Sequence, residues 1–81
     1  MKGNKDMDYI MITFRTGNKE VDLKVPVFVK VEELLQMLAE ALNIPIDVKN
    51  SLQAEPLGRI LDNSRTLEQE MVAQGSILTL I

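Results

Sequence analysis

Residues 9–25 read YIMITFRTGNKEVDLKV and predict a β-hairpin. The second arm alternates apolar and polar side chains, and the first arm is rich in β-forming residues, with an inward set that recurs at the same period of two. The apolar sets are Ile10, Ile12 and Phe14 on the first arm, and Val21, Leu23 and Val25 on the second. Between the arms, the cluster at residues 16–19 contains Gly and Asn, which both tolerate positive φ. Pro26 then ends the second strand, because proline cannot donate to a ladder.

Residues 31–42 follow the hairpin with the spacing of an amphipathic helix. The apolar stripe consists of Val31, Leu34, Leu35, Leu38 and Leu42. Glu32 and Glu33 fall in the first turn, where the helix dipole favours anions. Asn43 is suited to close the helix in the left-handed conformation, and Pro45 prevents its continuation.

The remaining chain predicts short strands at residues 51–55, 59–61 and 76–81, with a single helical turn near residue 66. One helix on one face of a mixed sheet of four to five strands is an α+β, two-layer domain. We expect the first and last strands to lie side by side and parallel in the middle of the sheet, which is the β-grasp arrangement. The domain spans residues 9–81, and residues 1–8 form a polar arm that we expect to be flexible.

Composition excludes several classes of function. The 81 residues include no cysteine and no histidine, so no Cys–His pair, Ser-His-Asp triad or thiolate metal site can form. A net charge of −3 argues against a general nucleic-acid binder. No stretch has the apolar length of a membrane span or the apolar centre of a signal peptide. We therefore predict no enzyme, no cofactor, no metal and a cytoplasmic protein, with any membrane association reached through a partner.

Three short motifs resemble ubiquitin over residues 9–81: Thr16-Gly17, Ile44-Pro45-Ile46-Asp47 and Arg65-Thr66-Leu67. Ubiquitin-type modifiers and sulfur carriers continue past their last strand into a tail that ends in two glycines. Here the sequence ends in bulky strand residues, so the resemblance implies a protein that is not conjugated. It also places Arg15, Glu55 and Ile81 at ubiquitin's apolar recognition patch. Two of these are charged, so we do not expect binding by ubiquitin-reading partners.

A closer resemblance is carried by Asp22-Leu23-Lys24-Val25-Pro26, the leucine-rich helix, the Ile-Pro-Ile-Asp motif and residues 75–81. These features resemble the YukD/EsaB family of ubiquitin-like proteins from Gram-positive type VII (WXG100, ESX-like) secretion systems. The resemblance implies an accessory or regulatory component that docks on cytosolic parts of the membrane complex, including its FtsK/SpoIIIE-type ATPase. A covalent modifier or sulfur carrier, and a β-grasp adaptor of another pathway, stay open as alternatives. A homodimer is also left open.

The outer face of the sheet is the candidate partner-binding surface. Its predicted members are Tyr9, Met11, Thr13, Ile77, Thr79 and Ile81. If the first and last strands pair in parallel, we expect Met11 to lie near Ile77. The alternatives are scattered surface apolar residues or a strand register shifted by one. The acidic residues, Glu70 among them, are interpreted as a solvated surface, with acid-base catalysis or a cation site as the alternative. Arg59 and Arg65 are interpreted as residues for solubility and turn salt links, with binding of phosphate or a partner carboxylate as the alternative.

Overall fold

The computed structural model describes residues 8–81. Its elements are β1 Tyr9–Thr16, β2 Lys19–Pro26, α1 Val31–Leu42, β3 Leu52–Glu55, β4 Arg59–Ile60 and β5 Ile77–Leu80. These elements confirm the predicted hairpin, helix and later strands in type and order, whereas residues 67–71 form turns and not the predicted helical turn. The predicted arm, residues 1–8, lies outside the described residues except for Asp8. The Asp8 carbonyl accepts a hydrogen bond from the N–H of Val27 at 2.9 Å.

The five strands form one mixed sheet in the order β2-β1-β5-β3-β4. β1 and β5 are parallel neighbours near the middle, and the other pairs are antiparallel. This order confirms the β-grasp arrangement. It leaves β2 as a long strand at one edge, while the two-residue β4 forms the other.

A two-residue loop joins β1 to β2, because Thr16 pairs directly with Lys19. Gly17 has φ +58°, a left-handed conformation that glycine adopts without steric cost. Asn18 does not take positive φ. Only one of the two turn residues singled out by the sequence therefore supplies that conformation.

The helix α1 begins and ends where its apolar period predicts. Lys30, at the N-cap, cannot accept a hydrogen bond through its ammonium group, so Glu33 caps from inside by accepting from the Lys30 N–H at 3.2 Å. The carbonyls of Arg65 and Asn63 accept from the first helical N–H groups at 2.8 and 3.0 Å. The loop at residues 63–65 thus satisfies N–H groups that the Lys30 side chain cannot cap. At the other end Asn43 takes φ 55° and ψ 50°, as predicted.

The core lies between α1 and the inner face of the sheet. Its buried residues are Ile12, Phe14, Val25, Val27, Val31, Leu34, Leu35, Leu38, Leu52, Ala54, Leu61, Leu67, Val72 and Leu78. The inward set predicted on β2 is only partly buried: Leu23 is half-buried and Val21 is 38% exposed. The reason is position, because Val21 lies on an edge strand close to the hairpin turn, where α1 ends.

Candidate functional site

The outer sheet face carries all six predicted partner-binding residues. Side chains alternate along a strand, so burial of Phe14 and Leu78 against α1 turns their neighbours outward. Tyr9, Met11 and Ile81 are exposed, whereas Thr13, Ile77 and Thr79 are half-buried. The strand parity assumed from the sequence is therefore correct for β1 and β5.

The register between β1 and β5 differs from the expected juxtaposition by two residues. Thr13, and not Met11, lies opposite Ile77. Met11 is level with the turn before β5, where its carbonyl accepts from the Gly75 N–H at 2.7 Å and its N–H donates to Gln74 Oε1 at 2.9 Å. Met11 is thus a diagonal neighbour of Ile77. A shift of two residues keeps the same face, so Met11 stays outward.

The six residues do not form one compact patch. Tyr9 precedes Thr13 by four positions, and Ile81 follows Ile77 by four, while Thr13 and Ile77 are level. At about 3.3 Å a residue, Tyr9 and Ile81 lie roughly 26 Å apart along the strands. The face therefore has one end at Tyr9, another end at Ile81, and a middle where Thr13 and Ile77 are level.

Polar groups occupy this middle and the rim beside it. The hydroxyl of Thr13 donates to Asp22 Oδ1 at 2.8 Å, and Arg15 Nε donates to Glu20 Oε2 at 2.9 Å. Glu55 lies opposite Ile77 on the neighbouring strand. The most exposed of the predicted apolar residues thus lie at the ends of the face, and polar and charged groups surround the half-buried Ile77 in the middle.

Sequence reasoning missed Phe28, which extends the exposed apolar surface next to Tyr9. Phe28 packs edge-to-face on Tyr9, with ring centroids 5.6 Å apart and planes at 88°. It is 53% exposed, and Met11 on the same strand as Tyr9 is 41% exposed. We call Tyr9, Met11 and Phe28 the apolar end. The signal was present in the sequence as an apolar run, Val27-Phe28-Val29, between a strand and a helix.

Glu70 is the main departure from the predicted solvated acidic surface. It is 5% exposed. Its Oε1 accepts from Arg59 Nη1 at 2.5 Å, and its Oε2 accepts from Arg65 Nε at 2.6 Å. The Asp62 N–H adds a longer bond of 3.3 Å to Oε1. The predicted salt links of the two arginines are present, and the carboxylate between them joins β4, the turn at residues 62–65 and its own turn.

The hydrogen bond from Arg59 lowers the pKa of Glu70 below its ordinary value of 4.5, although burial acts in the opposite direction. The bonds from Asp62 and Arg65 act with Arg59. The pKa of Asp62 is lowered too, first by the backbone N–H of Ser64 and then by the Ser64 hydroxyl. Both carboxylates are held in their charged forms. A lowered pKa suits a carboxylate that forms a structural ion pair, whereas a general acid requires a raised pKa.

Two open grooves flank α1. One, of about 260 Å³, lies beside its first turn and includes Glu32, Glu33 and Asp47 in its lining. The other, of about 350 Å³, lies between the hairpin turn and the end of the helix, against Val21 and Leu42. Over residues 8–81 no group of three acidic, cysteine or histidine side chains is placed to hold a metal ion. No helix in that range is long and apolar enough to cross a membrane.

The comparisons with known proteins agree on fold and give a family. A family model described as protein YukD of the WXG100 protein secretion system (Wss) matches residues 9–80. No curated protein matches the chain.

Several solved ubiquitin-like domains share the fold. The ubiquitin-like domain of an Arabidopsis thaliana protein has 20% identity and a TM-score of 0.76, covering 100% of this chain and 84% of its own. A protein designed on the basis of ubiquitin has 25% identity and a TM-score of 0.74, covering 91% and 88%. The C-terminal ubiquitin-like domain of mouse tubulin-specific chaperone e has 17% identity and a TM-score of 0.70, covering 90% and 84%.

Proposed function

Because the chain belongs to the YukD family of the WXG100 protein secretion system, we propose that it is a non-enzymatic accessory or regulatory module of that system. It acts in the cytoplasm by binding other proteins. Its partners are the cytosolic domains of the membrane-embedded secretion complex, with the FtsK/SpoIIIE-type ATPase among them.

The observation that carries this proposal is the exposed apolar surface on the outer sheet face. Two of the three aromatic residues of the protein, Tyr9 and Phe28, are exposed and packed on each other. Aromatic residues and methionine are enriched where proteins bind proteins, and a few buried anchors contribute most of the binding energy. The apolar end, with Ile77 beside it, supplies such anchors. Lys24 opposite Met11 and Asp22 opposite Thr13 supply a charged rim.

The test replaces one anchor at a time by a charge. Met11→Asp and Ile77→Asp should weaken capture of secretion-complex components from native membrane and cytosolic fractions at least tenfold, since a central apolar anchor contributes about 2 kcal/mol or more. Phe28→Ala should weaken capture in the same assay. Glu40→Gln, at an exposed helix position, is the matched control and should leave recovery unchanged.

Folding of each variant is checked by circular dichroism before the capture is interpreted. Met11 is the safer position, because Ile77 is half-buried. Folded Met11→Asp and Phe28→Ala proteins that still recover the partner at wild-type yield would exclude the apolar end as the docking surface. An equal loss with Glu40→Gln would show that capture does not depend on this face in particular.

Non-covalent action is the second part of the proposal. It is supported by the position of Ile81, whose N–H and C=O both bond to Ser51 at 3.0 Å. The Asn50 side chain donates to the same carbonyl at 2.9 Å. These bonds hold residue 81 beside Ser51 at the end of the sheet, whereas an activating enzyme needs a thin, flexible segment. Mass spectrometry of the protein from its native host should find no isopeptide at Ile81, and finding one would favour the modifier alternative.

A further inference from the structure

The edge strand β2 is an unusual feature of this sheet. It is eight residues long and, within residues 8–81, its only strand partner is β1. Long edge strands present a row of free N–H and C=O groups that can pair with another chain. Proteins usually blunt such edges with lysine or proline, and β2 carries Lys19, Lys24 and Pro26. It also carries acidic residues between the two lysines, so the edge has charges of both signs and does not simply repel a second copy of itself.

The direction of the free groups follows from the bonding of β1. The Met11 carbonyl and the Thr13 N–H bond toward the β5 side. In an antiparallel pair a residue's N–H and C=O point the same way, and alternate residues point to opposite sides. Ile12 and Phe14 therefore bond to β2, through their partners Leu23 and Val21. The alternate residues of β2 therefore direct both backbone groups to the open edge: Glu20, Asp22 and Lys24.

The side chains of β2 select one register for pairing with a copy of itself. We consider antiparallel pairs about a two-fold axis at residues 21, 22, 23 or 24. An axis at Val21 places Glu20 against Asp22, an axis at Asp22 opposes two aspartates, and an axis at Lys24 opposes two lysines. An axis at Leu23 instead places Asp22 of each copy opposite Lys24 of the other. Opposite charges across strands stabilise a pair, and like charges destabilise it.

The same register also pairs apolar side chains on the helix side of the sheet. Leu23 meets Leu23 of the second copy, and Val21 meets Val25 of the second copy. Val21 is among the exposed apolar residues and borders the open groove at the end of α1. Pairing at this edge would cover it.

We propose that two copies of the protein associate edge to edge through β2, antiparallel, with Leu23 on the two-fold axis. The contact extends the five-stranded sheet of each copy into a continuous sheet of ten strands. It is held by backbone hydrogen bonds of residues 20–26, two Asp22–Lys24 pairs and the apolar row at Val21 and Leu23. The inference does not depend on the docking role of the outer face.

A cysteine scan tests both the contact and its register, because the protein has no native cysteine. Leu23 pairs as a non-hydrogen-bonded residue, for which Cα atoms lie about 4.5 Å apart, within disulfide reach. L23C should therefore form a disulfide dimer under mild oxidation of the full chain. For D22C and V21C the equivalent Cα atoms would lie roughly 8 and 14 Å apart, beyond the reach of a disulfide. These two variants are matched controls because both positions are more exposed than Leu23.

Charge exchange tests the pairing without a cross-link. Sedimentation equilibrium of the wild-type protein at about 0.5 mM, suited to a weak contact of small area, should show species of twice the 9.1 kDa of one chain. D22K faces Lys24 of the second copy with a like charge and should raise the dimer dissociation constant at least tenfold. The double variant D22K/K24D restores opposite charges and should recover dimer formation. T13V removes the hydrogen bond to Asp22 but keeps the charge, and should leave association unchanged.

The outcomes separate clearly. Cross-linking of L23C alone, with loss in D22K and recovery in the exchanged variant, supports the proposal. Preferential cross-linking of V21C or D22C would overturn the register. A monomer at 9.1 kDa at the highest concentration, with no disulfide at any of the three positions, would overturn the contact itself. If D22K fails to fold by circular dichroism, the cysteine scan alone decides between these results.

Discussion

The substitution Glu70→Gln tests how much of the fold depends on one buried carboxylate. Glutamine keeps the shape of the side chain and one acceptor oxygen, but it loses the negative charge. Its NH2 group also replaces the second carboxylate oxygen and cannot accept the hydrogen bond from an arginine. Hydrogen bonds to charged groups contribute about 1.5 to 3 kcal/mol each. The side chains of Arg59 and Arg65 are 45% and 48% exposed, so water solvates them when the pair is broken and reduces the cost. We expect a loss of about 2 kcal/mol.

Thermal unfolding followed by circular dichroism measures this loss. For a domain of this size, 1 kcal/mol corresponds to a shift of about 4 to 8 °C, so the Tm should fall by roughly 8 to 16 °C at neutral pH. The control is Glu68→Gln, which removes the same charge at an exposed position two residues away. Its effect should stay within about 0.5 kcal/mol. A Tm for Glu70→Gln within about 2 °C of the wild-type value would refute the argument.

The pH dependence gives an independent check with a definite sign. The pKa of Glu70 is lower in the folded protein than its ordinary value of 4.5. A lowered pKa means that the carboxylate contributes stability above about pH 4.5, and that this contribution is lost as the pH falls through the folded value. The difference in Tm between wild type and Glu70→Gln should therefore be largest near neutral pH and should shrink as the pH falls below 4.5. A difference that stays constant down to pH 3 would contradict the assignment.

Two further substitutions test the core and the hairpin. Leu38→Ala, at a fully packed position 4% exposed, should cost about 2 to 5 kcal/mol in chemical denaturation, and a midpoint that barely moves would show that the helix stripe is not part of the core. Gly17→Ala meets no neighbouring atom within 4 Å but must adopt φ +58°, so it should lower the free energy of unfolding by about 1 kcal/mol. Gly17→Asn should cost less, because asparagine tolerates this conformation, and equal costs would exclude the backbone as the cause.

The fold was predictable because its signals are local. Alternation in residues 9–25 defines the hairpin, and the 3.6-residue period of residues 31–42 gives the helix with correct ends. Asn43 predicts the left-handed C-cap because asparagine tolerates that conformation. Each of these depends on neighbours within a few positions, so the sequence alone contains the necessary information.

What the sequence did not predict depends on distant contacts. Glu70 is buried because Arg59 and Arg65, separated from it by 11 and 5 positions, converge on it in space. Phe28 extends the candidate surface because it meets Tyr9, 19 positions away. The register of β1 and β5 is set by the loop before β5, through Gln74 and Gly75. A period of two identifies the outward face of a strand, but it does not determine which residues lie level across two strands.

The two proposed surfaces are geometrically compatible, and this compatibility has a functional consequence. A two-fold axis perpendicular to the sheet, as edge pairing of β2 requires, leaves both helices on one side and both outer faces on the other. A dimer would therefore present two copies of Met11 and Phe28 in the same direction. Two linked sites raise the effective concentration of the second binding event, so a modest patch on a small protein can hold a partner that displays repeated subunits. Weak self-association would then set how strongly the module binds a secretion complex, with no change in the contact surface itself.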